Sequence, residues 1–114
     1  MELKAGESVL KYNATDRIVV MEGSMRLANL TEYDKIGVFL TQAATQAGEQ
    51  LTLDMTKLNF LNSSGITTLS MFILAMKKKQ QPKLNILGST LYAWQEKSLK
   101  NFNKLWADVV ITIE

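Results

Sequence analysis

Two adjacent serines, Ser63 and Ser64, are the residues of this chain whose type and position best suit regulated chemistry. Together with Gly65 they stand directly before a long apolar pattern of helical period that runs to Lys79. The first backbone N–H groups of a helix have no partner within the helix, and the macrodipole is positive there, so negative charge is favoured. The position therefore suits a serine that is phosphorylated and recognised by a partner protein.

The same serines also have a purely structural interpretation. Ser and Asn are among the best N-cap residues and contribute about 1 kcal/mol to a helix. One of Ser63 and Ser64 can cap the helix while the other accepts phosphate, so both interpretations stay open. Asn62, just before them, either adopts an unusual backbone conformation or contacts the partner.

Composition argues against an enzyme. The chain has no cysteine and no histidine, which excludes thiolate chemistry, zinc sites of the usual Cys/His kind and histidine as the proton carrier. No phosphate-binding loop, metal cluster or convincing pair of carboxylates is present. We therefore expect no catalytic residues, no cofactor and no metal.

Length and charge predict an ordinary globular protein. A chain of 114 residues, 46% hydrophobic and 21% charged, suits one domain spanning residues 1–114. Basic and acidic side chains are nearly balanced, and a net charge of +2 is too small to indicate nucleic acid or an anionic membrane as a partner. No apolar run approaches the roughly 20 residues of a membrane span, and the first residues lack the order of a signal peptide. We expect a cytoplasmic location.

The apolar patterns predict five strands. Residues 9–12 and 17–22 read as a hairpin, and residues 51–55, 83–88 and 109–113 as later strands. Asp54 is expected at the carboxyl end of its strand, where it would orient the serine turn.

Helical periods separate those later strands. Thr31 is the expected N-cap of the first helix, which ends near Gly48. The second helix is predicted from Gly65 to Lys79, and Ser89 or Thr90 is expected to cap the third. Five residues form the buried stripe of the first helix: Tyr33, Ile36, Leu40, Ala43 and Ala47. The third helix is predicted to carry Leu91, Trp94, Leu99, Phe102 and Trp106.

The predicted order is β-β-α-β-α-β-α-β, an α/β fold with a mostly parallel sheet, an antiparallel edge hairpin and three helices. Together with the segments 51–54 and 58–66, this order resembles a STAS domain, the fold of anti-sigma factor antagonists. The segment 62–65, Asn-Ser-Ser-Gly, is similar to the Asp-Ser-Ser-Gly turn of that family. The resemblance implies that Ser63, or as second choice Ser64, is phosphorylated, and that the partner is an anti-sigma factor or a serine kinase or phosphatase.

The chain departs from the family pattern at two positions. Asn62 stands where the family usually has Asp, and Arg26 stands where a carboxylate is usual. Both changes remove negative charge from the expected phosphorylation surface. If either carboxylate is needed, phosphorylation is slow or absent, whereas Arg26 near a phosphoserine would hold it by a charge-assisted hydrogen bond.

The second helix is apolar on most sides, which predicts burial from several directions. The alternative is that Met71 or Leu74 stays exposed beside the serine turn as a docking patch. We predict a non-enzymatic regulatory protein that binds its partner through the serine turn, the adjoining helix, Arg26 and Asp54. Two alternatives stay open, a phosphorylation-independent interaction module and a module that binds a nucleotide or another small molecule.

Overall fold

A computed structural model of the protein describes residues 1–114. The element order is β-β-β-α-β-α-β-α-β. The strands are β1 (Glu2–Ala5), β2 (Glu7–Asn13), β3 (Ile18–Met25), β4 (Gln50–Leu61), β5 (Lys83–Gly88) and β6 (Val110–Ile113). The helices are α1 (Leu30–Ala47), α2 (Ser63–Lys79) and α3 (Ala93–Leu105).

All six strands form one sheet in their chain order, β1-β2-β3-β4-β5-β6. The pairs β1/β2 and β2/β3 are antiparallel, and β3 to β6 run parallel to one another. Each helix connects one parallel strand to the next, always in the same direction, so right-handed crossovers place all three helices on one face. The expected STAS-like α/β fold with a mostly parallel sheet is confirmed.

The core lies between that face and the helices. Alternate residues of β4 are buried, among them Leu51, Leu53 and Met55, while the residues between them are half-buried on the other face. The predicted stripe of α1 is buried throughout its length. No helix is long and apolar enough to cross a membrane.

The structure has a strand at the N-terminus that the sequence patterns did not predict. β1 is only four residues long and pairs with β2 through a tight turn at Gly6, which has a positive φ of 60°. Such a short segment shows too little alternation to be recognised by its pattern alone. The predicted hairpin is therefore the second part of a three-stranded meander.

Two predicted helix starts were wrong. Asn29, not Thr31, caps α1, because its side-chain oxygen accepts a hydrogen bond from the backbone N–H of Glu32 at 3.1 Å. The third helix begins at Ala93 without a side-chain cap. The Ser89 hydroxyl instead accepts a bond from the backbone N–H of Leu91 in the preceding turn, so Leu91 lies outside the helix. Ser89 therefore closes a local turn instead of capping the helix.

β4 is much longer than the predicted strand 51–55. Its first part lies between β3 and β5, and after Asp54 it leaves β5 and continues along β3 alone. The register against β3 shifts between Val20 and Glu22, which marks a bulge. The second part of β4 therefore carries the chain past the end of β5 to the serine turn.

Candidate partner-binding site

The serine turn is the start of α2. Ser63 is the first helical residue, and Asn62 is the N-cap, with extended backbone angles of φ −82° and ψ 176°. The Asn62 side-chain oxygen accepts a hydrogen bond from the backbone N–H of Gly65 at 2.9 Å. The expectation that a serine caps this helix was wrong, and so was the expectation of an unusual backbone at Asn62. Asn62 is as good a cap as serine and stands one residue earlier.

A second hydrogen bond ties the same amide oxygen to α1. The hydroxyl of Tyr33, which is 4% exposed, donates to the Asn62 oxygen at 2.5 Å. That hydroxyl also accepts a bond from the backbone N–H of Leu27 at 3.1 Å. Asn62 therefore joins the start of α2 to both α1 and the β3–α1 connection, which holds the serine turn in place.

We expect Asn62→Ala to lower the free energy of unfolding by about 2 kcal/mol, because it removes an N-cap and leaves the buried Tyr33 hydroxyl without an acceptor. Asn62→Asp, which introduces the residue usual in STAS domains, keeps both acceptor positions and is expected to retain the wild-type stability. Urea unfolding of the three proteins measures the difference. Equal midpoints for wild type and Asn62→Ala would show that the amide oxygen is not holding this turn.

Both serine side chains face solvent. Ser63 and Ser64 are exposed, and only their backbone carbonyls take part in side-chain hydrogen bonds, with Thr67 and Thr68 at 3.0 Å each. The first turn of α2 contains no acidic residue, so the positive end of the helix is not neutralised. This is a favourable place for a phosphate.

Arg26 lies at the same end of the sheet. It follows Met25, which pairs with Leu61 at the end of β4. Its guanidinium group sits over the ring of Phe60, 4.2 Å from the centroid, in a cation–π contact. The residue is exposed, so its positive charge faces solvent at this end of the sheet.

Asp54 does not have the predicted position. It lies in the middle of β4, where one carboxylate oxygen accepts hydrogen bonds from the Thr56 backbone N–H at 2.9 Å and from the Thr56 hydroxyl at 2.6 Å. These bonds stabilise the local bend of β4 at the bulge. The expectation that Asp54 orients the serine turn was wrong, because β4 continues beyond it as far as Leu61.

An open groove runs between α1 and α2, with a volume of about 490 Å³. Met71 of α2 is 66% exposed and Val38 of α1 is 57% exposed, and both line it. The floor includes the buried rings of Tyr33 and Phe72. The remaining lining residues are mostly small or polar: Asp34, Gly37, Thr41, Gln42, Thr68 and Ala75.

The expectation that α2 is buried from several directions was wrong for two residues. Met71 is exposed, and Leu74 is 45% exposed although it does not line the groove. The reason is that α2 buries one side in the core and lies between α1 and α3, so its outer side has no neighbour. Val38 and Tyr33 were not predicted as site residues. The only indication in the sequence that Val38 is exposed was that it does not belong to the buried stripe of α1.

The other candidate groups have structural roles. Trp106 is buried, and Trp94 is half-buried, with its indole N–H donating to the Asn59 carbonyl at 3.0 Å. Both therefore belong to the core or its lid. The three lysines at the end of α2 are exposed in its last turn. No group of three or more acidic side chains is placed to hold a metal ion.

Comparisons with known proteins agree with this architecture. No family model matches the chain, and no curated protein matches it by sequence. A chain in the crystal structure of the diguanylate cyclase SiaD in complex with its activator SiaC from Pseudomonas aeruginosa superposes with a TM-score of 0.73 and 14% identity, covering 100% of this chain and 99% of that one. The crystal structure of apo-SiaC superposes with a TM-score of 0.72 and 15% identity, covering 100% and 97%.

This chain has the fold of SiaC. At such low identity the likeness establishes the fold alone.

Proposed function

We propose that the protein is a non-enzymatic regulator that binds a signalling protein through the serine turn and the α1–α2 groove. The observation that carries this proposal is the pair of exposed serines, Ser63 and Ser64, at the positive end of α2, one helix turn from a groove with exposed apolar walls. SiaC, which has the same fold, is an activator that forms a complex with a diguanylate cyclase. That precedent supports a protein partner, and the family resemblance supports an anti-sigma factor or a serine kinase or phosphatase as its class.

The groove supplies the binding energy in this proposal. Exposed methionine is well suited to a partner surface because its flexible, polarisable side chain adapts to different shapes. Val38 on the opposite wall adds a second apolar contact, and Gly37 and Ala75 leave room for an incoming side chain. Thr68 lies one turn after Ser64 and also lines the groove, so the groove is continuous with the serine turn.

Phosphorylation of Ser63 supplies the switch. A phosphate adds roughly −1.5 to −2 charges to a surface that is pressed against the partner in the complex. The positive end of α2 stabilises the phosphate in the unbound protein, and Arg26 adds a positive charge at the same end of the sheet. Desolvation of that charge then opposes docking, so the phosphorylated form releases its partner.

We expect Ser63→Asp to weaken partner binding by roughly a hundredfold, which corresponds to about 3 kcal/mol. Proteins from a lysate of the source cells are captured on immobilised wild type, and the affinity of the captured partner is then measured by calorimetry for wild type and Ser63→Asp. Thr15→Asp is the matched control, since Thr15 is exposed in the β2–β3 turn. That turn is hydrogen-bonded to the start of β4, so it lies at the end of the sheet opposite the serine turn.

A second pair of variants tests the groove in the same assay. Met71→Glu places a charge on the apolar wall and is expected to abolish capture, whereas Met71→Leu is expected to retain it. Wild-type affinity for Met71→Glu would remove the groove from the proposal. Failure of every candidate kinase to label Ser63 or Ser64 would remove the phosphorylation switch.

The second candidate function is a phosphorylation-independent interaction module. Two observations favour it. Asn62 supplies an uncharged amide at the position of the family Asp, and Arg26 is already held by the Phe60 ring. Equal partner affinity of wild type and Ser63→Asp, together with loss of binding in Met71→Glu, distinguishes this function from the switch.

A further inference from the structure

The last strand of the sheet has a free edge. β6 pairs with β5 in parallel and has no strand on its other side. An edge strand presents a row of unpaired N–H and C=O groups, and natural proteins usually protect it by charge, proline, a bulge or a covering segment. The chemistry of this edge therefore decides whether it can accept another strand.

The hydrogen bonds at the end of β6 show which groups are free. Glu114 donates its backbone N–H to the Gly88 carbonyl at 3.1 Å and accepts from the Thr90 N–H at 3.0 Å, so both of its backbone groups point to the β5 side. Backbone groups alternate sides along a strand. Val110 and Thr112 therefore also bond towards β5, and the N–H and C=O groups of Ile111 and Ile113 point out of the sheet.

The residues that protect the edge cover the chain only as far as Val109, before the free backbone groups of Ile111 and Ile113. The Asn103 side-chain amide donates to the Val109 carbonyl at 2.6 Å and to the Ala107 carbonyl at 3.2 Å, which covers the approach to β6. The strand itself, Val-Ile-Thr-Ile, contains no charge and no proline, and Val110 is 56% exposed. The opposite edge strand, β1, carries charged residues at two of its four positions.

We propose that β6 is a self-association edge, at which a second copy of this chain adds its own β6 in antiparallel orientation about a two-fold axis at Thr112. In that register Ile111 of one copy lies opposite Ile113 of the other. Each such pair exchanges both backbone hydrogen bonds, which satisfies all the free groups of the strand. The two sheets become one continuous sheet through an isologous contact.

The side chains fit the same register. The two Thr112 residues face each other as a non-hydrogen-bonded pair, an arrangement that is favourable for threonine in antiparallel strands. Val110 lies opposite Glu114 of the second copy, so no like charges meet across the axis. A copy of this chain is therefore complementary to the edge without any rearrangement.

This interface lies on the last strand of the sheet, whereas the serine turn and the groove lie at the start of α2 and between α1 and α2. The inference is independent of the proposed function, and neither depends on the other. An interface built from one short strand is small, so the dimer is expected to form and dissociate with concentration.

Sedimentation equilibrium of the purified chain over a wide range of concentrations tests the proposal. The expected result is an apparent mass that rises to twice the monomer mass. Thr112→Lys places two like charges opposite each other and is expected to shift the midpoint of association to a concentration several-fold higher, less so at high salt. Val110→Lys is the matched control, because its lysine faces Glu114 of the second copy and association is retained.

Hydrogen exchange locates the contact. The amides of Ile111 and Ile113 are expected to gain protection as concentration rises, while the amide of Thr112, bonded to β5, is protected at every concentration. A monomer at all concentrations would overturn the proposal. So would a dimer that is insensitive to Thr112→Lys and leaves the Ile111 and Ile113 amides unprotected, because it would use a different surface.

Discussion

Gln95→Leu is expected to lower the free energy of unfolding by about 3–5 kcal/mol, although leucine has nearly the same volume as glutamine. The Gln95 side chain is completely buried. Its amide donates to the carbonyls of Met55 at 2.6 Å and Leu58 at 2.9 Å, and its oxygen accepts from the backbone N–H of Ser89 at 2.7 Å. Leucine would leave three buried backbone groups without partners, each at a cost of about 1–3 kcal/mol, which its added hydrophobicity only partly offsets.

The measurement is urea unfolding, supported by a thermal midpoint that is expected to fall by roughly 10–20 °C. Asn101→Ala is the matched control on the same helix, since Asn101 is exposed, and it is expected to change stability by less than about 0.5 kcal/mol. Wild-type stability in Gln95→Leu would mean that water or a shifted backbone satisfies those groups. Gln95 holds the part of β4 that leaves β5, so the variant also tests how firmly the serine turn is supported.

Gly23→Ala has the second largest expected effect, a loss of about 3 kcal/mol or more. Gly23 has a φ of 88°, where L side chains are strained by about 1–3 kcal/mol. A Cβ at this position would also overlap the backbone carbonyl of Glu7 on the neighbouring strand β2. Because the obstacle is main chain and not a movable side chain, relief requires β2 and β3 to separate.

Gly37→Ala is the matched control. Gly37 lies in α1 with nothing within 4 Å of an added Cβ, so alanine is expected to stabilise the protein by about 0.4–1 kcal/mol through its better helix propensity. The opposite signs of the two changes are checked in one series of urea unfolding curves. Equal effects at both positions would contradict the proposed role of the Gly23 backbone.

Sequence patterns predicted the secondary structure well where it depends on interactions between residues close together in the chain. The stripe of α1 and the placing of two serines at the start of α2 follow from side-chain spacing and from which residues accept bonds at helix ends. The cap itself was assigned to the wrong residue because Asn62 and the serines compete for the same bond. The preference for Asn62 comes partly from Tyr33, which is 29 residues away in the chain.

The site surface was less predictable. The exposure of Met71 depends on which side of α2 faces the core. Asp54 lies in mid-strand and not at the predicted strand end, because β3 continues alongside the second part of β4. The role of Gln95 had no signal in the sequence, since a lone glutamine in an amphipathic helix usually faces solvent.

The alternation of strands and helices, the absence of histidine and cysteine chemistry and the position of the serines at a helix start were predictable from the amino-acid sequence. They depend only on residue type and short-range spacing. Three other features became clear only from the packed protein: which apolar side chains of α2 remain exposed, which residue binds Asn62, and where the sheet ends in an open edge. Those features depend on contacts between residues far apart in the chain, whose geometry is set by how the sheet and helices pack together.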